Sequence, residues 1–359
     1  MRCVLGTLLG VVCMTSSLDA KSVLLVSVSG EDRVAQFAID ETSGELTPIE
    51  GFTVNGAAGP MAISPDGRTL YVSLRSTHRV ASYRIEPHTF TPLNEIDVGG
   101  SGTFLATDRT GRFLFSAYYG DGRVAVHEIK EDGSLGDQVQ SIGTAKNAHC
   151  IVIDRSNRFV FVPHTGPEAI YQFVFDVGSG RLTQNPAGNV DTSEAGTKHE
   201  PRHLWFHPTE DFAYVSMEAG SEIGAFGFDS EEGTLTPLSE NVSTLPMGFG
   251  ENNSTADVEV TPDGRYAFVS NRGHDSLAGF EIDQKSGRTR SLNPPTTPTA
   301  QTPRSFNIHP NGQWVYAAGQ GSGELIAYRL NDDGGLAPLQ TLTVGKSPAW
   351  VQVVPLPAE

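Results

Sequence analysis

Two sets of polar side chains stand at fixed distances on either side of a recurring turn, and together they hold the parts of a hydrolytic site. Counted from the turn residues Gly67, Gly111, Asn157, Glu210, Gly264 and Gly312, the positions eight earlier are Gly59, Thr103, His149, Arg202, Ala256 and Arg304. The positions eight later are Arg75, Tyr119, Thr165, Glu218, Arg272 and Gln320. One imidazole, one carboxylate and four guanidinium groups thus share one register, with Tyr119 and Gln320 as further polar candidates for holding a substrate. A neutral imidazole can take up a proton near pH 7, and its cation can return one. A carboxylate can act as base toward a water or orient the histidine. Arginines can bind an anion or an oxyanion that develops during reaction. These parts suit attack of water on an activated ester with no covalent intermediate. The reverse geometry, closure of a carboxylate onto a double bond, uses the same parts.

Any one of these charges alone reads as a solvated rim residue or a weak surface ion pair. Jointly they do not, because the same register gives Gly, Ala, Thr and Gln elsewhere. Other chemistries lack their parts. The two sets offer no second carboxylate for a glycosidase pair. One Glu and one His, with only Asp257 close by, are too few ligands for a catalytic cation, so neither metal nor cofactor is expected. No Gly-rich phosphate loop precedes a helix. His203 and His207 alternate with apolar residues in "RHLWFHP", and "HP" recurs at His309 in the same register, so both are expected to be packing or turn residues. Cys150 alternates with apolar neighbours in "HCIVI" and reads as core.

The elements that must position these side chains repeat along the chain. "SPDGRTLYVS" (64–73), "HPTEDFAYVS" (207–216), "TPDGRYAFVS" (261–270) and "HPNGQWVYAA" (309–318) are strong copies, and "DRTGRFLFSA" (108–117) and "DRSNRFVFVP" (154–163) are weaker ones. Each unit of roughly 45 residues predicts four short strands, the pattern of a propeller blade. Residues 22–54 hold three strands with no leading one, and residues 348–354 hold a leading strand with nothing after it. The predicted fold is therefore all-β, a seven-bladed β-propeller closed by pairing of the N- and C-terminal strands, with residues 21–359 as one domain. A pair of β-sandwiches would not need complementary half repeats. "NPPTTPTAQTP" (293–303) is expected to be a connection between blades. Because adjacent antiparallel strands set the start of one beside the end of the next, both polar sets should meet at one mouth of the central channel.

Composition narrows the partners. A formal net charge of −17 argues against nucleic acid and anionic membrane, both of which demand a basic face, and leaves room for a small anionic ligand. Gly at 39 and Pro at 22 fit a turn-rich chain of 359 residues. Residues 1–20, with Arg2, the apolar "CVLGTLLGVVCM" and Ala20, read as a signal peptide, which implies export to a periplasmic or extracellular space; without it the chain would be cytoplasmic. Cys3 and Cys13 would leave with that leader, so Cys150 could form no internal disulfide. Sequons at Asn241, Asn252 and Asn253 are expected to mark surface loops.

"SPDGRTLYVSLRSTHRVASYRI", "EPRHLWFHPTEDFAYVSME", "TPDGRYAFVSNR", "TPRSFNIHPNGQWVYAAGQ" and "VGKSPAWVQV" together resemble the seven-bladed lactonase family, which includes propeller-type 6-phosphogluconolactonases and fungal carboxymuconate cycloisomerases. The likeness runs from about residue 22 to 354. It implies hydrolysis of 6-phosphoglucono-1,5-lactone or a related sugar-acid lactone. It also implies an active-site set of His149, Arg202, Glu218 and Arg272; by the chemistry of their side chains, Glu218 and His149 are expected to handle water and proton transfer. Arg202 and Arg272 would bind the anion and oxyanion, supported by Arg75 and Arg304. The alternatives are a secreted propeller that binds a ligand or protein without turnover, and a cycloisomerase of the muconate type. Loops 191–201 and 247–257 are expected over the mouth, where they would shape specificity.

Overall fold

Apolar alternation broken by Gly- and Asp-bearing turns folds the chain into seven antiparallel sheets arranged as a propeller; the computed structural model describes residues 22–87, 89–193 and 196–357. Blades 1 to 6 begin with the innermost strands Ala58–Ile63, Phe104–Thr107, Val152–Ile153, Pro201–Phe206, Ser254–Val260 and Pro303–Ile308. Blade 7 takes its innermost strand, Pro348–Pro355, from the other end of the chain: it pairs with Ser22–Val28, which pairs in turn with Arg33–Ile39. The ring closes as the half repeats require. The expected signal peptide, residues 1–20, lies outside the described residues. Among the described residues no helix is long and apolar enough to cross a membrane.

Each turn between the first two strands is built locally. Asp108 accepts the backbone N–H groups of Arg112 and Phe113, and Asp154 those of Arg158 and Phe159. In blade 4 the same task falls to His207, whose Nδ1 accepts the N–H of Glu210 at 2.9 Å while Nε2 donates to the Gly264 carbonyl at 3.0 Å. Gly264 has φ +73°, and a Cβ there would lie 2.2 Å from the His207 ring, so both the turn and the blade contact demand glycine. His309 likewise accepts the N–H of Asn311. The expectation of turn residues holds for His207 and His309.

Buried aliphatic and aromatic faces pack blade on blade, and side-chain amides lock neighbours together. Gln340 of blade 6 accepts the Leu46 N–H at 2.8 Å and donates to the Leu46 carbonyl at 3.1 Å, so an amide side chain mimics a strand toward blade 7. Buried tyrosines do the same work deeper in: Tyr71, Tyr214 and Tyr316 donate to the carbonyls of Gly133, Gly287 and Gly44 in the next blade. The Pro-rich stretch differs from expectation. Residues up to Pro298 belong to the strand Thr289–Pro298, the outer edge of blade 5. An edge strand tolerates proline because the missing N–H can face outward.

One irregularity recurs at the mouth. In blade 4, Pro201 pairs with Met217 and Leu204 with Val215, which places one extra residue in the innermost strand. The same slip lies between Ala58 and Met61, Thr255 and Val258, and Pro303 and Ser305, and again between the Ala148 bridge and Val152. These are β-bulges, which break strict alternation and re-aim side chains.

Candidate active site

The bulges gather the charged residues into one cleft at the mouth of the channel. Gly59, Pro60, Arg75, Thr103, His149, Arg202, His203, Arg304, Ala349 and Trp350 line it. The lining thus includes contributions from the innermost strands of blades 1, 4, 6 and 7. Glu218 and Arg272 join through ion pairs: Arg202 Nε lies 3.2 Å from Glu218 Oε2, and Arg272 Nη2 donates to Glu218 Oε1 at 2.7 Å. Arg272 also donates to the Thr255 carbonyl at 2.8 Å, which fixes its fork. His149, Arg202, Glu218 and Arg272 are therefore brought together, as the shared register requires.

Burial sets the electrostatics. Arg202 is only 1% exposed, a rare place for a guanidinium unless it is paired. Burial, then the cations of Arg272 and Arg304, disfavour its charge, and Glu218 opposes them. Burial pushes the Glu218 carboxyl up, but Arg202 and Arg272 outweigh it and hold the group below its ordinary value. Glu218 is an anion pinned between two cations. His149 is 4% exposed; burial, then Arg202, His203, Arg304 and Arg272, push its pKa well down, so the imidazole is neutral near pH 7. Arg304 is brought down to about 10 by burial, Arg272 and Arg75. Among the described residues neither Arg75 nor Arg304 has an acidic partner, which leaves two guanidiniums to face an incoming anion.

The other expected residues divide. Tyr119 reaches the site, its ring edge-on to His149 with centroids 5.4 Å apart. Gln320 caps the end of its hairpin, donating its N–H to the Thr302 carbonyl, and is not among the lining residues. Cys150 is buried, with its thiol pushed up to about 12 by burial, in keeping with a core role. Loop 191–201 brings Glu200 beside Glu218, where burial and that like charge raise its pKa, while its start lines a separate groove with Glu222 and Asn241. Loop 247–257 sets Phe249 edge-on to His274. Asn253 is no free loop residue: its amide donates to Ser221 and Asn271.

His203 overturns its expected packing role. It lines the cleft, its ring lies 5.1 Å from that of His149, and its Nδ1 lies 2.7 Å from Asp257 Oδ1. Alternation along a regular strand would send Arg202 and His203 to opposite faces. The bulge puts both in one cleft. The signal that could have found His203 was its partner Asp257, which follows Ala256 in the same register of the next blade. Among the described residues no group of three or more His, Cys, Asp and Glu is placed to hold a metal ion.

Known proteins share the propeller fold and its family. Residues 22–353 match the family described as lactonase, 7-bladed beta-propeller. A 6-phosphogluconolactonase of Pectobacterium carotovorum is 35% identical over 316 residues, covering 87% of this chain and 93% of the relative. One from Yersinia pseudotuberculosis is 34% identical over 316 residues, covering 87% and 92%. The structure of the periplasmic gluconolactonase of Pseudomonas aeruginosa superposes with a TM-score of 0.85 at 24% identity, covering 94% of this chain and all of that one, a likeness of fold.

Proposed function

The chain belongs to the seven-bladed β-propeller lactonase family, and from that premise we propose that it opens the ring of a sugar-acid lactone by adding water, with 6-phosphogluconolactone or a close relative as substrate. The observation that carries this reading is the surplus of fixed positive charge, set around one pinned carboxylate and beside a neutral imidazole. Arg75 and Arg304, without acidic partners, receive the phosphate or the hydroxyl-rich end of the sugar acid. Arg202 and Arg272 face the carbonyl oxygen, where negative charge grows as water adds; donors held rigid beforehand lower the barrier most there. Glu218 keeps both guanidiniums in place. A carboxylate engaged by two cations is a poor proton acceptor, so the proton of the water passes to an imidazole, and His149 helps to orient that water.

A panel of lactones tests the reading: 6-phosphogluconolactone, unphosphorylated gluconolactone and a muconate-type diacid, each with the wild type and His149→Ala. The wild type should open a sugar lactone, and the variant should lose about 10²-fold in kcat. An unchanged rate in the variant would remove His149 from the site. Saturable binding of a sugar acid with no turnover would make the protein a ligand-binding propeller, and loss of the diacid's ultraviolet absorbance would make it a cycloisomerase.

A gentler change probes the anion end. A Cβ at Gly59 would lie 2.7 Å from Cδ of Arg75. Gly59→Ala should displace that side chain and raise KM several-fold with kcat nearly unchanged, as loss of uniform binding does. Steady-state kinetics on the preferred lactone would check it.

A further inference from the structure

We propose that His203 is the proton acceptor for the attacking water and that Asp257 is its positioning residue; the inference rests on the lactone-opening reading and identifies the base within it. The two imidazoles at the mouth are not equivalent. His149 faces Arg202, Arg304 and Arg272 with no carboxylate bonded to either ring nitrogen among the described residues. His203 presents Nδ1 to Asp257 Oδ1 at 2.7 Å. A ring nitrogen that faces a carboxylate carries the proton, so Nε2 keeps its lone pair. That Nε2 is buried and has no hydrogen-bond partner among the described residues, on a residue that lines the cleft. The ring plane is held from the sides: Phe104 stands edge-on with centroids 5.2 Å apart, and Trp350 lies 6.1 Å away.

Asp257 is placed to stabilise the cation that forms. Its Oδ1 also accepts the Val258 N–H at 3.1 Å, and its Oδ2 faces the Phe306 N–H at 3.4 Å. Glu259, on the same strand, is bonded by Asn307 and Ile308, and burial and the charge of Asp257 raise its pKa well above the ordinary value. The carboxylate of Asp257 thus acts on both neighbours, Glu259 and His203. Burial, then Arg202, hold free His203 down at about 4, and Asp257 works the other way. An anion bound on the arginines offsets their field and makes the imidazole a better base when substrate is present.

The step balances. The water oxygen bonds to the carbonyl carbon, the carbonyl π pair moves onto oxygen, and one water proton passes to His203 Nε2. On collapse the bond from that carbon to the ring oxygen breaks, and the ring oxygen takes the proton back from Nε2. The imidazole ends neutral, and the hydroxy acid releases its own proton to solvent.

The test compares wild type, His203→Gln and Asp257→Asn for kcat, KM and the pH profile of kcat/KM, with melting curves to verify folding. His203→Gln should lower kcat about 10²-fold with KM within about twofold, and should abolish the acid limb of the profile. Asp257→Asn should lower kcat about tenfold and move that limb to lower pH, since the group that favours the cation is gone. The charged and titratable groups facing His203 are His149, Arg202, Arg304 and Asp257, and none but Asp257 favours protonation. Nitrogen NMR of the wild type reads the neutral ring directly: a proton on Nδ1 is expected, and one on Nε2 would overturn the assignment even if the variants failed to fold. Wild-type hydrolysis that survives His203→Gln with its acid limb intact overturns this assignment alone. Failure of the wild type to open any lactone overturns both readings.

Discussion

Glu218→Ala should lose about 3–5 kcal/mol of folding stability, the range measured when one partner of a buried ion pair is removed, and about 10³-fold in lactone opening. The cause is the company Glu218 keeps. Arg202 is 1% exposed and has this carboxylate as its ion-pair partner, and Arg272 donates to the other oxygen. The contact with Arg202 is ionic without hydrogen-bond geometry. Without Glu218, two guanidiniums would face each other and Arg304 in a buried cleft and would splay apart. The donors proposed to face the developing oxyanion would move with them. Urea denaturation and kcat measured on the same preparation would check both halves, and a variant within about 1 kcal/mol of wild type would contradict the account. The pH dependence has a definite sign. The folded pKa of Glu218 lies below its ordinary 4.5, so its contribution is present at neutral pH and is lost as pH falls through that depressed value. Glu218→Gln should lack this part of the acid sensitivity.

Truncation before Pro348 should leave no folded protein in solution. It removes the innermost strand of blade 7 and uncovers the edge of Ser22–Val28, whose residues are all buried. Open edges invite pairing with other chains, so aggregation is the expected fate. A single substitution makes the same point: Val354 is fully buried opposite Val23, and Val354→Asp would sink an unpaired charge into that seam. It should cost more than about 4 kcal/mol. Soluble yield and thermal melting would decide, and a truncated chain that melts like wild type would show that six blades suffice.

The ring was legible because one packing problem is solved repeatedly: the turn of Asp66 and Gly67 returns at Asp263 and Gly264, and a missing strand at one end is matched by a spare at the other. The arginines and Glu218 were legible because their offsets from the turn are whole-strand distances. His203 was not. Counting along a regular strand assigns neighbours to opposite faces, and the extra residue in the innermost strand cancels that rule where the cleft is built. Asp257 was noticed in sequence only as a stray acid, and the one hint that it shares a hydrogen bond with a residue 54 positions away is that it follows Ala256 as His203 follows Arg202. The prolines of 293–298 misled for a related reason: edge position decides whether a missing N–H matters, and edge position belongs to the assembled sheet.

Joining first strands to last also sets a timetable. The ribosome releases the residues of every proposed catalytic side chain before it releases Trp350, which walls the cleft, or the strand that seals the circle. A growing polypeptide thus owns its reactive groups well before it can hold them facing one another. Lactone opening should switch on in one late step of biogenesis, and nascent fragments should stay inert.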